Sequence, residues 1–407
     1  MTETGEIRAE VRHWVSGNWD PGMQLARWRE LLADAGWAYP AWPICGRSLP
    51  PDLAAAATSE LARAGVPGPP DGLGTSLVAP VLLAHASEAL KQRFIRPTVT
   101  SQITWCQLFS EPGAGSDLAG LTTTAIRDGG EWVVTGQKVW STGAATADYG
   151  LLLARTDWDV PKHRGITAFV LPMRQNGVEV RPLRQMNGHQ SFNEVFLDEA
   201  RVPAANLIAE PGTGWTVALT TLAHERRLAA HRVTGGEPAG RAWREAVAER
   251  TAAAEPHKWY PQRAGRPDLV IPRAQAAGKA DDPVIRQQIA RLTEATRSAR
   301  WTSERAAAAR AAGHNPGPEG SIGKLASSDI ARHAARVHGS IAGAAGMLAG
   351  PDAPAAGTIA EILVSVPGIS IAGGTDEVQH TIIGERILGL PKEPDVSKDI
   401  PFRQVPR

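Results

Sequence analysis

The sequence has few cysteines and almost no net charge. Cys45 and Cys106 are the two cysteines in 407 residues, too few for a disulfide framework, and they favour a reducing compartment. The 43 basic and 42 acidic side chains nearly cancel, so no charge pattern favours nucleic acid or a membrane surface as a partner. Neither a signal peptide nor an apolar run of about 18 residues is visible. The sequence therefore predicts a soluble, cytoplasmic protein.

The spacing of apolar residues divides the chain into three parts. Residues 1–102 have helical spacing, residues 103–213 form short strand-like runs, and residues 214–391 return to helical spacing. The strand-like runs have the spacing of a β-barrel or a β-sandwich. Several prolines interrupt residues 234–281, which we predict to be a partly irregular insertion. Residues 392–407 are predicted to be a tail.

A loop rich in glycine and serine follows the first predicted strand, Ile103–Phe109. Residues Ser110–Asp117 read S-E-P-G-A-G-S-D. Pro112 ends the strand because it has no N–H for the ladder. Gly113 and Gly115 can take positive φ and bring bare backbone against a ligand, and serine hydroxyls can bond phosphate oxygens. Such a loop can hold the pyrophosphate of a nucleotide cofactor, although an isolated motif of this kind is more often a surface turn.

A second motif follows one predicted hairpin later. Residues Thr135–Thr142 read T-G-Q-K-V-W-S-T, a strand with an aromatic side chain followed by two hydroxyls. Together the two motifs resemble those of the acyl-CoA dehydrogenase family, which has a T-E-P-G-A-G-S-D-like loop and a G-Q-K-x-W-I-T-like strand at this separation. The resemblance extends to about Pro391. It implies an α+β, mostly α fold, with an N-terminal helical domain, a middle antiparallel β-barrel domain and a C-terminal helical bundle.

The chemistry implied by this resemblance needs a catalytic base. Oxidation of an acyl thioester between its α and β carbons requires a base for the α proton, donors for the carbonyl oxygen and a hydride acceptor. In much of the family the base is a glutamate directly before a Gly-Thr pair, and Gly373 occupies that position here. Its backbone N–H remains an expected donor to the carbonyl oxygen.

A second carboxylate offers the missing base. Family members of the branched-chain and long-chain type carry their base on an earlier helix, in an L-x-x-E-R-like context that Leu222–Arg226 matches. Glu225 also falls on an apolar stripe with helical spacing, where burial would raise the pKa of its carboxyl group. We therefore predict Glu225 as the base. The alternative is that Glu225 simply pairs with a neighbouring arginine.

The resemblance further implies FAD as the cofactor and acyl-CoA as the substrate, with no metal ion. Ser116 and Arg226 are the expected substrate contacts, although Arg226 is almost as well explained as an ordinary surface arginine. Trp140 could equally belong to the core of the middle domain. The expected cofactor-binding residues are Gln107, Phe109, Ser110, Gly115, Ser116, Trp140, Ser141, Thr142, Gln287, Thr375 and Glu377.

Two elements that approach the FAD of a neighbouring subunit in this family are changed here. Ala276–Ala280 stands near the place of an R-K-x-F-G-like element, and Ser340–Ala344 replaces a Q-I-x-G-G-like stretch. Three hypotheses remain: an FAD-dependent acyl-CoA dehydrogenase reoxidised by an electron-transfer flavoprotein, an acyl-CoA oxidase-type relative, or a non-catalytic structural subunit of a mixed tetramer. The expected assembly is a homotetramer or dimer, with a hetero-oligomer as the alternative.

Overall fold

The computed structural model describes residues 2–228, 240–311, 317, 319–394 and 397–406, with side chains at all of these positions except 226–228 and 310–311. Their contacts divide the chain into two compact units. The first comprises residues 1–183, 190–255 and 396–407, and the second comprises residues 184–189 and 256–395. The predicted C-terminal bundle began at residue 214, whereas the contacts group residues 214–228 and 240–255 with the first unit.

Helices open the first unit, as the helical spacing predicts. They are α1 Glu3–Asn18, α2 Leu25–Asp34, α3 Pro51–Arg63, α4 Ala79–His85 and α5 Glu88–Val99. Thr2 begins α1 as an N-cap, its hydroxyl accepting a hydrogen bond from the backbone N–H of Gly5 at 3.3 Å. Trp28 lies fully buried among these helices, and its indole N–H donates to the carbonyl oxygen of Pro67 at 2.7 Å, so this large side chain has its polar atom satisfied.

Eight strands form the middle of the first unit: β1 Trp105–Leu108, β2 Thr124–Asp128, β3 Glu131–Thr142, β4 Tyr149–Arg155, β5 Ile166–Pro172, β6 Val178–Leu183, β7 Phe192–Pro203 and β8 Leu207–Ile208. The hydrogen-bonded path runs β6-β7-β3-β2-β4-β5-β8, and β1 adds to β4. As expected, the pairings are antiparallel, except that β1 and β2 each pair with β4 in parallel. The strand-like spacing thus marks real strands, including the β2–β3 hairpin.

Strands β4 and β5 separate two hydrophobic cores. Leu151, Leu153 and Val170 face the core that contains the N-terminal helices. Leu152 and Phe169 face the other core, which lies within the sheet domain. Because successive side chains of a strand point to opposite faces, these two strands are apolar at almost every position and buried on both sides.

The last helices of the first unit are α6 Gly214–Leu228 and α7 Arg241–Ala254. Helix α7 falls within residues 234–281, which the sequence predicts to be a partly irregular insertion. The first residues of that insertion, 234–239, lie outside the described part of the chain. Trp243 donates its indole N–H to the carbonyl oxygen of Gly65 at 2.6 Å, and Arg29 pairs with Glu249 at 2.7 Å. These contacts with the N-terminal helices stabilise a helix that has only weak periodicity of its own.

The second unit is helical. Its helices are α8 Tyr260–Arg263, α9 Val270–Ala276, α10 Pro283–Ala311, α11 Glu319–Ala342, α12 Thr358–Ser365 and α13 Asp376–Arg386. Asp282 caps α10, with its carboxylate accepting from the backbone N–H groups of Val284 and Ile285 at 2.9 and 3.0 Å. Apolar residues of α9, α10 and α11 share one core. Across the described residues of both units, no helix combines the length and apolarity that a membrane span requires.

Candidate active site

A buried ion pair anchors the glycine-rich loop Ser110–Asp117. The Lys138 ammonium on β3 donates to Glu111 at 2.8 Å and to the carbonyl oxygen of Phe109 at 3.0 Å. Glu111 also accepts from the backbone N–H groups of Thr122 and Thr123 at 2.7 and 2.9 Å. The Lys138 side chain is fully buried and that of Glu111 is 5% exposed. The loop is therefore tied to the strand that carries the second motif.

The pKa values of this pair reflect competition between burial and charge. Burial raises the pKa of Glu111, but the Lys138 ammonium and the Thr122 and Thr123 donors outweigh burial and hold that pKa at about 2. Burial lowers the pKa of Lys138, and the Glu111 carboxylate opposes that shift. The carboxylate is thus ionised at neutral pH and can accept all its hydrogen bonds.

The tip of the loop is a tight turn with open space beside it. Glu111 and Ala114 exchange backbone hydrogen bonds at 3.0 and 3.1 Å, which closes the turn around Pro112. The prediction that Gly113 and Gly115 use positive φ is wrong, since neither glycine has a positive φ. The turn closes without it. A Cβ atom at either glycine would meet nothing within 4 Å. The glycines therefore leave room for a ligand rather than permitting an unusual backbone.

A β-bulge sets the direction of Trp140. The β3–β7 register shifts between Lys138 and Ser141, and Trp140 has a left-handed φ of 62°, which is uncommon for a bulky residue. Its ring is 55% exposed and lies edge-on to Phe192 with centroids 5.7 Å apart. In the same bulge the Val139 N–H donates to the Ser110 carbonyl oxygen at 2.9 Å. The bulge thus joins the two motifs and turns an aromatic surface outward, so Trp140 does not belong to the core.

The two hydroxyls after Trp140 differ in environment. Ser141 is buried, and its hydroxyl has no hydrogen-bond partner among the described residues. Thr142 is half-buried and pairs with Phe192 in the ladder. A buried hydroxyl without a partner is costly unless a ligand satisfies it. This orphan group, the open glycine backbone and the exposed indole together fit a ligand with a planar ring and phosphate groups.

The other predicted cofactor contacts near this loop lie at the end of β1. Gln107 is half-buried within β1, and Phe109 is buried just after it. Ser110 is half-buried, whereas Gly115 and Ser116 are exposed. The first unit therefore brings together eight of the predicted cofactor residues: Gln107, Phe109, Ser110, Gly115, Ser116, Trp140, Ser141 and Thr142.

Helix α6 carries the predicted base. Gly214 begins it against β5, where a Cβ atom would approach the Thr167 backbone to 2.7 Å, so only glycine fits at this start. Ala218 and Thr221 are fully buried on α6. Glu225, four residues beyond Thr221, is half-buried and continues this stripe toward the helix end. The side chain of Arg226 lies outside the described part of the structure.

A hydrogen bond joins α6 to α4. His85 lies 2.8 Å from the Thr220 hydroxyl through Nε2, and that hydroxyl donates to the Thr216 carbonyl oxygen at 3.2 Å. Burial lowers the pKa of His85. The imidazole links two helices of the first unit.

The second unit carries the segment around Gly373. Gly373 has φ 70° and a Cβ atom there would meet nothing within 4 Å. Thr375 caps α13, accepting from the Val378 N–H at 3.2 Å, and Glu377 is exposed in the first turn. The buried Asp376 fixes the segment through Lys324 at 3.2 Å and Arg332 at 2.8 Å. Burial raises the pKa of Asp376, but hydrogen bonds from Ser328, Lys324 and Ser370 and the charge of Lys324 hold it at about 2.

The two elements that depart from the family pattern meet each other. The Lys279 ammonium donates to the Ile341 carbonyl oxygen at 2.8 Å, which joins Ala276–Ala280 to Ser340–Ala344. Gln287 is exposed early in α10. No cluster of three or more His, Cys, Asp or Glu side chains in the described ranges is suited to a metal ion.

Sequence reasoning missed the Glu111–Lys138 pair, although both residues lie inside the two motifs. A glutamate and a lysine embedded in otherwise apolar or small-residue stretches were the available signal. Their partnership depends on how the loop folds back over β3, which neither motif encodes alone.

The chain is similar to known proteins over nearly its full length. The family descriptions "Acyl-CoA dehydrogenase, middle domain" and "Acyl-CoA dehydrogenase, C-terminal domain" match residues 106–200 and 271–388. The chain is 34% identical to acyl-CoA dehydrogenase IpdE1 of Mycobacterium tuberculosis, over 97% of this chain and 99% of that protein. The chain is also 35% identical to acyl-CoA dehydrogenase FadE34 of the same organism over 89% of this chain. The match spans only 46% of FadE34, about half of that protein.

Two solved structures have the same fold. One is named Tcur3481–Tcur3483 steroid ACAD, with a TM-score of 0.65 and 26% identity over 97% of this chain and 99% of that one. The other is the ChsE4–ChsE5 complex from Mycobacterium tuberculosis, with a TM-score of 0.64 and 28% identity over the same shares. The chain belongs to the acyl-CoA dehydrogenase family, a family of oxidoreductases, which confirms the family and fold indicated by the two motifs.

Proposed function

We propose that the protein oxidises an acyl-CoA thioester between its α and β carbons to the 2-enoyl-CoA, with FAD as its cofactor. The observation that carries this proposal is the likeness to acyl-CoA dehydrogenase IpdE1 over nearly the full length of both chains. The open loop Ser110–Asp117, anchored through Glu111 and Lys138, supports it because a nucleotide cofactor needs such a surface.

Bound FAD supplies an acceptor for the β hydride. In this proposal the loop backbone beside Gly113 and Gly115 would hold the pyrophosphate, and the exposed Trp140 would contact the ring. The Ser141 hydroxyl would donate to the cofactor and so gain the partner that it lacks among the described residues. Gln107, Phe109, Ser110, Ser116 and Thr142 complete this side of the site. Thr375 and Glu377 of the second unit are proposed as further cofactor contacts, and Gln287 is proposed to serve a neighbouring subunit's cofactor.

Glu225 is the proposed base for the α proton. Its half-buried position on the inner stripe of α6 supports this role, because a partly desolvated carboxylate is a stronger proton acceptor than one in water. The backbone N–H of Gly373 is the proposed donor to the thioester carbonyl oxygen, which stabilises the charge that develops as the proton leaves. Ser116 and Arg226 are the proposed contacts to the CoA portion.

The acyl group is proposed to be bulky and polycyclic. The support is the similar structure named as a steroid ACAD, together with the position of the base on α6, which resembles that of the branched-chain type. An electron-transfer flavoprotein is the proposed acceptor of the electrons. If air restores the flavin colour as fast as this partner does, the oxidase-type alternative replaces the dehydrogenase.

Substitution of Glu225 by glutamine tests the base. We expect Glu225→Gln to keep its flavin and to lose about a thousandfold in the rate of anaerobic flavin bleaching by a steroid-type acyl-CoA, because a general base contributes about this much. The exposed Glu210 provides the matched control, Glu210→Gln, which should bleach at the wild-type rate. An unchanged rate in Glu225→Gln would refute the assignment.

A second candidate function is that of a non-catalytic subunit in a mixed tetramer. The ChsE4–ChsE5 relative is a complex of two named components, and the changed elements Ala276–Ala280 and Ser340–Ala344 support the same idea here. Flavin content separates the two functions. A purified chain that binds FAD and is bleached by substrate is an enzyme by itself, whereas a colourless chain that gains FAD only with a second, related chain is a subunit.

A further inference from the structure

A buried arginine holds the segment that directly follows the cofactor loop. Arg155, at the end of β4, has a fully buried side chain. Its guanidinium donates to the carbonyl oxygens of Ala119 at 2.7 Å, Leu121 at 3.1 Å and Lys162 at 3.0 Å. One rigid, planar group therefore fixes three backbone positions from two different segments.

Both of these segments lead to the cofactor loop. Ala119 is two residues beyond Asp117, the last residue of the loop. Lys162 reaches Asp117 directly, since its ammonium lies 3.0 Å from both carboxylate oxygens. Arg155 is thus connected to the C-terminal end of the loop in two ways: through its bonds to the backbone of Ala119 and Leu121, and through Lys162, which pairs with Asp117. The N-terminal end of the loop is held separately by Glu111 and Lys138.

The chain's C-terminal residues cover this arginine. The Phe402 ring lies 3.6 Å from the Arg155 guanidinium carbon, is almost completely buried, and packs on Trp158 with centroids 5.4 Å apart. Backbone hydrogen bonds hold it there: Phe402 N–H donates to Val160 at 2.9 Å, and Arg403 N–H donates to Trp158 at 3.1 Å.

An ion pair reinforces the same contact. The guanidinium of Arg403 donates to the Asp159 carboxylate at 2.6 Å. Residues 401–405, which we term the tail clasp, are therefore docked by backbone, aromatic and ionic contacts to residues 158–160. Those residues lie in the chain between Arg155 and Lys162, the two residues that hold the end of the cofactor loop.

We propose that the tail clasp positions the cofactor loop, with Phe402 as a positioning residue that acts through Arg155. The aromatic face binds the cation from one side. By excluding water it also strengthens the three guanidinium hydrogen bonds, because such bonds are stronger in a low-dielectric surrounding. The part of this inference that concerns flavin rests on the proposed function, whereas the part that concerns the loop does not.

Hydrogen exchange on the flavin-free full-length chain tests the loop directly. In Phe402→Ala we expect faster amide exchange at residues 116–121, with no change in the helices α1 and α2. Phe402→Trp keeps an aromatic face over the guanidinium and should restore slow exchange. Gln404→Ala changes an exposed residue of the same clasp and is the matched control. Faster exchange confined to residues 158–160 and 401–405 would overturn the proposal.

FAD affinity provides the second measurement. We expect Phe402→Ala to weaken FAD binding, followed by flavin fluorescence, by about tenfold, with the tryptophan variant close to wild type. An affinity unchanged in Phe402→Ala would also overturn the positioning role. If the wild-type chain binds no FAD, the proposed function fails instead, and the exchange measurement still decides whether the clasp orders the loop.

Discussion

Two glycine-containing segments, Ser110–Asp117 in the first unit and Ile371–Glu377 in the second, are each anchored by one buried carboxylate. Glu111 depends on a single cation, Lys138, which is fully buried. Asp376 has two cations, Lys324 and Arg332, whose side chains are 17% and 44% exposed. Water cannot replace the buried Lys138 ammonium beside Glu111, whereas water can replace the part-exposed Arg332 beside Asp376. Similar ion pairs therefore differ in their contribution to stability according to what replaces a lost partner.

The sharpest test of this difference removes one cation from each anchor. Lys138→Met leaves the Glu111 carboxylate buried without its ammonium, so we expect the free energy of unfolding to fall by about 3–5 kcal/mol. Arg332→Met leaves Asp376 with Lys324, and we expect a loss of about 1 kcal/mol or less. Urea denaturation of both variants measures the two losses. Equal losses would contradict the comparison.

Acid should weaken both anchors. The pKa values of Glu111 and Asp376 are held at about 2, below their ordinary values of 4.5 and 3.8. A depressed carboxyl pKa contributes stability that is fully present above the ordinary value and is lost as the pH falls toward the folded value. We expect the free energy of unfolding to decrease steadily below pH 4.5 toward pH 2.

The variant Glu111→Gln isolates one anchor in the acid test. It should be less stable than wild type at neutral pH and should show a shallower decrease below pH 4.5, because one of the two carboxyl groups with a pKa of about 2 is gone. Asp376→Asn is the matched variant for the second unit. If both curves keep the wild-type slope, other carboxyl groups dominate the acid response.

The smallest expected effect on stability is that of Ser141→Ala. This change removes a buried hydroxyl that has no partner among the described residues, so the flavin-free chain should change by less than about 1 kcal/mol in its free energy of unfolding. FAD binding should weaken by about three- to tenfold, the equivalent of one hydrogen bond. Ser16→Ala, at an exposed serine of α1, is the control. Equal FAD affinity in both variants would remove Ser141 from the cofactor site.

Much of the fold follows from the spacing of apolar residues and from the residues that begin or end each element. The strand-like spacing of residues 103–213 coincides with the strands β1–β8, because apolar spacing acts over a few neighbouring residues. Helix α7 was not predicted, since Trp243 and Glu249 find their partners in the N-terminal helices. Such partners are distant in sequence, so no local pattern of residues predicts them.

The candidate site also combines features that the motifs predict with features that depend on packing between distant segments. The two motifs identify which residues surround the open loop, because each motif is continuous in the chain. The direction of Trp140 depends on a bulge in the β3–β7 ladder, and Gly113 and Gly115 leave space without positive φ. Both features depend on register and packing against a second strand or segment.

Motifs and apolar spacing along the chain were enough to indicate the family and the order of helical and strand-forming parts. The pairing of Lys138 with Glu111 and the position of Phe402 over Arg155 could be seen only in the folded chain. The reason is physical: the strength of a charge or an aromatic face depends on whether water is excluded around it. Exclusion of water is a property of packing between distant segments.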